Sequence, residues 1–180
     1  IVLGSDFPAN KLPDVKEQAR LNAAATPLRE ADIAVGNLEG ALTDSTAMRK
    51  DPSQPNQFAF RMPAAYAAML KAMGLRVLNL ANNHAMDFGM AGLKSTMGAL
   101  RGEGLVPVGA GRENSMETVE VRGTPIVFLS YSYLPYFPHM ANLTKLRQEI
   151  AAARRLAPIV LVNVHGGREG SNESPLPGAT

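Results

Sequence analysis

Short apolar runs rich in valine and isoleucine alternate along this chain with longer alanine- and leucine-rich stretches, and that alternation restricts the folds open to it. The runs cover residues 1–3, 32–35, 75–80, 105–108, 118–121, 125–129 and 158–164. Each is bounded by turn residues and is too short for a stable helix, so each is expected as a buried strand. Residues 12–31, 63–73, 89–102 and 143–156 carry apolar positions at helical spacing; Pro63 suits a first helical position, and Gly74 and Gly102 suit helix ends. Strand–helix–strand alternation implies an α/β fold with parallel pairing. Residues 118–129 differ, because two strands meeting through Arg122-Gly123-Thr124 read as a hairpin and make the sheet mixed. With 180 residues, 46% of them hydrophobic, the chain suits one domain, 1–180, with a buried core.

Composition removes several function classes. A net charge of +2 supplies no basic field for nucleic acid, so no nucleic-acid partner is expected. The absence of cysteine excludes disulfides, thiolate metal sites and cysteine nucleophiles. No apolar run approaches the roughly 20 residues that a membrane helix requires. The segment "GAGREN" at 109–114 lacks the third glycine of a dinucleotide turn, and no phosphate-loop lysine motif occurs. Ser130 and Ser132 lack a G-x-S-x-G setting, which argues against a serine hydrolase.

Open α/β sheets place ligands beyond the carboxyl ends of their strands. The residues at those positions are Ser5 and Asp6, then Asn37 and Glu39, then Asn82, Asn83, His84 and Asp87, and finally His165, Gly166 and Gly167. Carboxylate, amide and imidazole are the ligand types that a borderline or hard divalent ion accepts. Two such ions about 3.5–4 Å apart can clamp the attacking and departing oxygens of a phosphoryl-type displacement. Gly166 and Gly167 permit close backbone approach to a substrate. Each residue also has a plain structural reading. Asp6 and Asp87 suit helix or segment caps, Asn37 suits a turn, Glu39 suits a solvated surface, and His165 suits a hydrogen-bonded core. Their common placement at strand ends favours the site. The strands ending near Val35, Leu80 and Val164 are expected as neighbours or near neighbours in one sheet, so that Glu39, Asn83 and His165 converge. The long polar loop 43–60 has the length of a functional loop.

In order, "DIAVGNLEGALT", "LNLANNHAMDFGMAGLKSTMGAL", "GLVPVGAG", "PIVFLSYS" and "VNVHGGRE" resemble the bacterial CapA family of poly-γ-glutamate capsule synthesis proteins, over about Asp32 to Glu169. That family is similar to the calcineurin-like metallophosphatases. The resemblance implies a four-layer α/β/β/α sandwich of two facing mixed sheets, and a metal-dependent hydrolase or transferase site. It implies two divalent ions (Mn, Zn, Mg or Fe), with Glu39 as bridging carboxylate, Asn83 and His165 as further ligands, and His84 as the proton donor. The resemblance also implies Asp6 as the opening metal ligand, although the family places its aspartate directly after glycine, whereas here Ser5 intervenes. Asn37, Asn82, Gly166 and Gly167 are expected on the substrate side. The implied substrate is an anionic polymer or a phosphate-containing compound. The implied setting is the extracytoplasmic cell envelope, with membrane-bound capsule synthesis proteins as partners and an anchor preceding Ile1. Family members continue to a later histidine-rich segment, so the expectation is a fragment whose C-terminal part is missing. The other reading is a component that binds polymer or partner proteins without catalysis.

Overall fold

The computed structural model describes residues 1–8, 10–54, 57–111 and 115–167. The unpatterned tail 170–180 and residues 112–114 of "GAGREN" lie outside them. The elements run α1 (Val15–Ala24), α2 (Thr26–Glu30), β1 (Ala34–Asn37), β2 (Ala41–Leu42), β3 (Arg61–Met62), α3 (Tyr66–Ala72), β4 (Leu75–Asn79), α4 (Gly89–Gly102), β5 (Val106–Val108), β6 (Met116–Val121), β7 (Thr124–Ser132), α5 (Leu143–Leu156) and β8 (Ile159–His165). No helix among the described residues is long and apolar enough to cross a membrane.

Two three-stranded sheets form the centre. One has the order β1-β4-β5 and is wholly parallel. The other has the order β6-β7-β8, with β6 antiparallel and β8 parallel to β7. Alternate residues of a strand face opposite sides, and this periodicity builds the layers. Val77 of β4 and Val108 of β5 pack between the sheets against Val119, Ile126 and Phe128. Leu78 of β4 turns the other way, into a core with Leu70 of α3 and Leu93 and Leu100 of α4. On β7, Val127, Leu129 and Tyr131 face Ile150 and Ala153 of α5. The result is helix, sheet, sheet, helix: the expected four-layer sandwich.

Four expectations are corrected. Residues 1–3 form no ladder; Ile1 alone bonds the exit of β1, with its carbonyl accepting from Glu39 N. The stretch 12–31 is two helices, because Pro27 lacks the N–H and crowds the preceding turn. Asp14 caps the first helix in a reciprocal box with Glu17. β8 belongs to the second sheet, not to the sheet of β1 and β4, and the first sheet is parallel rather than mixed. The hairpin is confirmed. Arg122 and Gly123 both adopt positive φ, the two-residue turn whose twist matches paired strands.

Candidate metal and proton-transfer site

The carboxyl ends of β1, β4 and β8 meet at one edge of the inter-sheet space. Asn37 and Asn79 are register partners on β1 and β4, and Asn79 shares its face with Val77, which lies between the sheets. Across the gap, His165 pairs in register with Ser132, two steps of two beyond Phe128, so its side chain points toward the first sheet. Gly109 lets the sheets close here. A Cβ at this position would stand 2.8 Å from both Ala81 Cβ and Ser130 Cβ, and its φ is +81°.

Asparagines organise this edge. Asn82 is fully buried, and its amide makes four bonds: Nδ2 donates to Asn37 Oδ1 (3.0 Å) and Leu38 O (2.8 Å), while Oδ1 accepts from His84 N (3.0 Å) and Ala85 N (2.9 Å). It shapes the turn that presents Asn83 and His84. That commits the amide expected on the substrate side to the scaffold. Asn37 Oδ1 also accepts from Asn79 Nδ2 at 2.8 Å, which leaves Asn37 Nδ2 directed at Glu39 Oε2, 3.3 Å away. Asn37 therefore orients the Glu39 carboxylate rather than standing open to substrate. His165 Nε2 lies 3.0 Å from Asn83 Oδ1 and 3.8 Å from Glu39 Oε1. Glu39, Asn83 and His165 converge, although β8 comes from the other sheet.

A second group adjoins the first through Asn83. His84 Nδ1 stands 2.8 Å from Asp87 Oδ2, and the His84 ring packs on Phe60 with centroids 4.3 Å apart. A carboxylate only accepts, so the 2.8 Å contact with Asp87 favours a proton on Nδ1 over the longer 3.3 Å approach of Lys50 Nζ, and Nε2 is then left to exchange one. Asp87 is completely buried and does not cap α4, whose N-cap is Phe88. Its Oδ2 also accepts from Phe60 N at 2.8 Å, and its Oδ1 forms an ion pair with Lys50 Nζ at 2.7 Å. Lys50 Nζ donates to Asn83 O at 3.0 Å as well. Lys50 and Phe60 carry no motif; their only sequence signal is membership of the long loop 43–60.

Asp6 is placed elsewhere. Arg61 Nε and Nη2 bind its two oxygens at 2.8 and 2.9 Å, a two-pronged ion pair that holds the carboxylate against β3. At Gly166 a Cβ would lie 3.1 Å from Met140 Sδ, a tight contact that the flexible methionine end would have to yield to. Gly167 has φ +129° and open space around it.

Residues 3–176 match the family described as the bacterial capsule synthesis protein PGA_cap. The chain belongs to that family. Among its relatives are the PGA biosynthesis protein CapA of Bacillus subtilis, 29% identical over 166 residues (81% of this chain, 41% of that protein). A Mycobacterium tuberculosis protein described as a polyglutamine synthesis accessory protein is 36% identical over 88 residues (46% of this chain, 20% of that one). A Staphylococcus aureus structure described as a 5'-nucleotidase in complex with alpha-ketoglutarate superposes with a TM-score of 0.53 at 16% identity, over 98% of this chain and 37% of that one. This last likeness supports the metallophosphatase-like fold. The chain spans less than half the length of these relatives.

The donor set at the convergence point is one carboxylate oxygen, one amide oxygen and one imidazole nitrogen from three separate segments. That chemistry fits one borderline or hard divalent ion. Among the described residues, no group of three or more His, Cys, Asp or Glu is placed to hold a metal ion by itself. Asp6, expected as a ligand, is bound instead by Arg61.

Proposed function

We propose that this capsule-synthesis family member carries a metal-assisted hydrolytic or transfer site that acts on an anionic polymer or a phosphate-containing substrate. The observation that carries the reading is the reach of His165 across the sheets to Asn83 and Glu39. Those three residues would hold the divalent ion (Mn, Zn, Mg or Fe), with Asn37 steering Glu39 from behind. When bound, the ion supplies Lewis-acid polarisation of the substrate oxygen. Asp87 holds His84 by Nδ1, and Nε2 gives the proton to the departing oxygen. Any further ligand would come from outside the described residues. The setting proposed is the extracytoplasmic face of the cell envelope, beside membrane-bound capsule synthesis proteins.

Calorimetry with Mn²⁺ and Zn²⁺, followed by turnover of an activated phosphate ester and of a γ-glutamyl oligomer, tests the reading. Binding of an ion, with His84→Ala lowering turnover by about 10²–10⁴ while leaving the ion bound, supports it. No ion bound, or turnover indifferent to His84→Ala, overturns it. A second reading, a polymer- or partner-binding component without turnover, draws on the exposed apolar residues of β8. It takes over if an ion binds and neither substrate is converted.

A further inference from the structure

Beside Asn83 opens a cleft of about 210 Å³, lined by Arg49, Lys50, Asn82, Asn83, Tyr136 and Phe137 among others. It is smaller than the ~300 Å³ at which sites for drug-sized ligands begin. It therefore suits one charged group and a few carbons rather than a whole chain. Its two cations are not equivalent. Lys50 is already neutralised by the buried Asp87. Arg49 takes part in no ion pair among the described residues.

Arg49 is nonetheless held in place. Its backbone N donates to Asp87 O at 2.7 Å, which ties the loop to the turn carrying His84. Its guanidinium lies over the Tyr136 ring, 4.5 Å from the centroid, and Nη2 donates to the Tyr136 hydroxyl. A guanidinium flattened on an aromatic ring keeps its remaining N–H groups in one plane, the arrangement that grips a carboxylate or phosphate with two parallel bonds. The two residues come from different loops, 43–60 and the segment after β7, so the pair exists only in the folded chain.

We infer that Arg49, supported by Tyr136, is a specificity-determining residue that binds an oxyanion of the substrate, carboxylate or phosphate, next to Asn83. This deepens the reading above and rests on it for the reaction served; the binding itself requires no metal. Arg49 recognises the anionic unit adjoining the bond that the Glu39–Asn83–His165 and His84 groups would address.

The test is calorimetry on the full chain in chelator-treated buffer with tri-γ-glutamate and, separately, phenyl phosphate. Arg49→Ala is expected to weaken at least one probe about tenfold or more, as expected for losing hydrogen bonds to a charged group. Arg49→Lys should recover only part of that, because a point charge cannot form the paired contact. Tyr136→Phe should give a smaller loss, and exposed Arg154→Ala should stay within about twofold of the parent. The probe that suffers identifies carboxylate or phosphate as the source. If neither probe binds the parent chain, or Arg49→Ala binds both within twofold with an unchanged melt, the inference is overturned. A parallel Mn²⁺ titration separates the two readings. Loss of probe binding without any Mn²⁺ site leaves the oxyanion site standing and removes the metal. Normal Mn²⁺ binding with probes indifferent to Arg49 does the reverse.

Discussion

His165 Nε2 and Asn83 Oδ1 are 3.0 Å apart although 82 positions separate them in sequence, with His165 ending β8 of one sheet and Asn83 following β4 of the other. Both are only partly buried, so replacing the imidazole should disturb the site more than the fold. His165→Ala is expected to weaken Mn²⁺ or Zn²⁺ binding by at least about tenfold. The melting temperature should move little. Glu39→Ala should act in the same direction. Calorimetry paired with thermal melts reads both effects, and unaltered ion affinity in either variant would count against these ligands.

Asp87 joins the turn carrying His84 to the loop above it through His84, Phe60 N and Lys50. Asp87→Ala should destabilise the chain by about 1–3 kcal/mol, because it leaves Phe60 N without its acceptor and the half-buried Lys50 without its ion-pair partner. Asp87→Asn keeps the shape but offers His84 Nδ1 a mixed donor and acceptor in place of a carboxylate. Urea melts should show a smaller loss for Asn than for Ala, with turnover lowered in both. A stable, fully active Asp87→Asn chain would show that His84 does not depend on this contact.

Asn82 is a scaffold residue by its bonding, with all four hydrogen bonds made inside the protein. Asn82→Ala is expected to cost about 2–3 kcal/mol by leaving buried partners unsatisfied. Asn82→Asp should be worse, since a second oxygen would face Asn37 Oδ1 and Leu38 O. If chemical denaturation finds either change neutral, the turn has another support.

Tyr131 is buried against α5 with its hydroxyl 2.6 Å from Glu149 Oε2, and burial first, then the Glu149 carboxylate, pushes its ionisation well above the usual tyrosine range. The unfolded chain ionises near pH 10, while the folded chain stays protonated to a higher pH. This stabilising contribution is therefore complete below pH 10 and is lost as pH rises from there toward the folded value, at up to about 1.4 kcal/mol per pH unit. Tyr131→Phe should lower stability at pH 8 by about 1 kcal/mol and flatten the alkaline decline. Denaturation midpoints between pH 8 and 11 give the comparison; parallel curves for the two proteins would exclude this tyrosine as the source.

β8 is an edge strand of its sheet among the described residues, and Ile159, Leu161, Val162 and Val164 are all more than 40% exposed on it. Unpaired backbone beside apolar side chains invites pairing with another chain. The 180-residue chain is expected to associate as concentration rises. Val162→Lys should suppress this without unfolding the sheet. Light scattering that shows a monomer across the concentration range for the parent chain would refute the expectation.

The α/β class, the helices Gly89–Gly102 and Leu143–Leu156, and the hairpin at Arg122-Gly123 were legible because each rests on a local rule. A 3.6-residue period with end signals, or two turn residues between paired strands, acts over a dozen positions or fewer. β2 and β3 were not legible, since two-residue strands carry no period. Glu39, Asn83 and His165 could be picked out as strand-end residues. Their meeting depended on which sheet β8 joined, and that depended on packing between the layers.

Asp6 shows the converse. Its place after an apolar run made it a ligand candidate, and only the folded chain brings Arg61, 55 positions away, to bind both its oxygens. Lys50 and the Arg49–Tyr136 pair were equally invisible, because a side chain on a long polar loop has no periodic neighbour to betray its partner. Sequence alone determined the longer strands and helices and the residue types carried to the strand ends, for these follow from backbone geometry and nearest-neighbour chemistry. Tertiary structure decided which charges met, since Coulomb and hydrogen-bond contacts are short-ranged and form only where packing brings distant segments together.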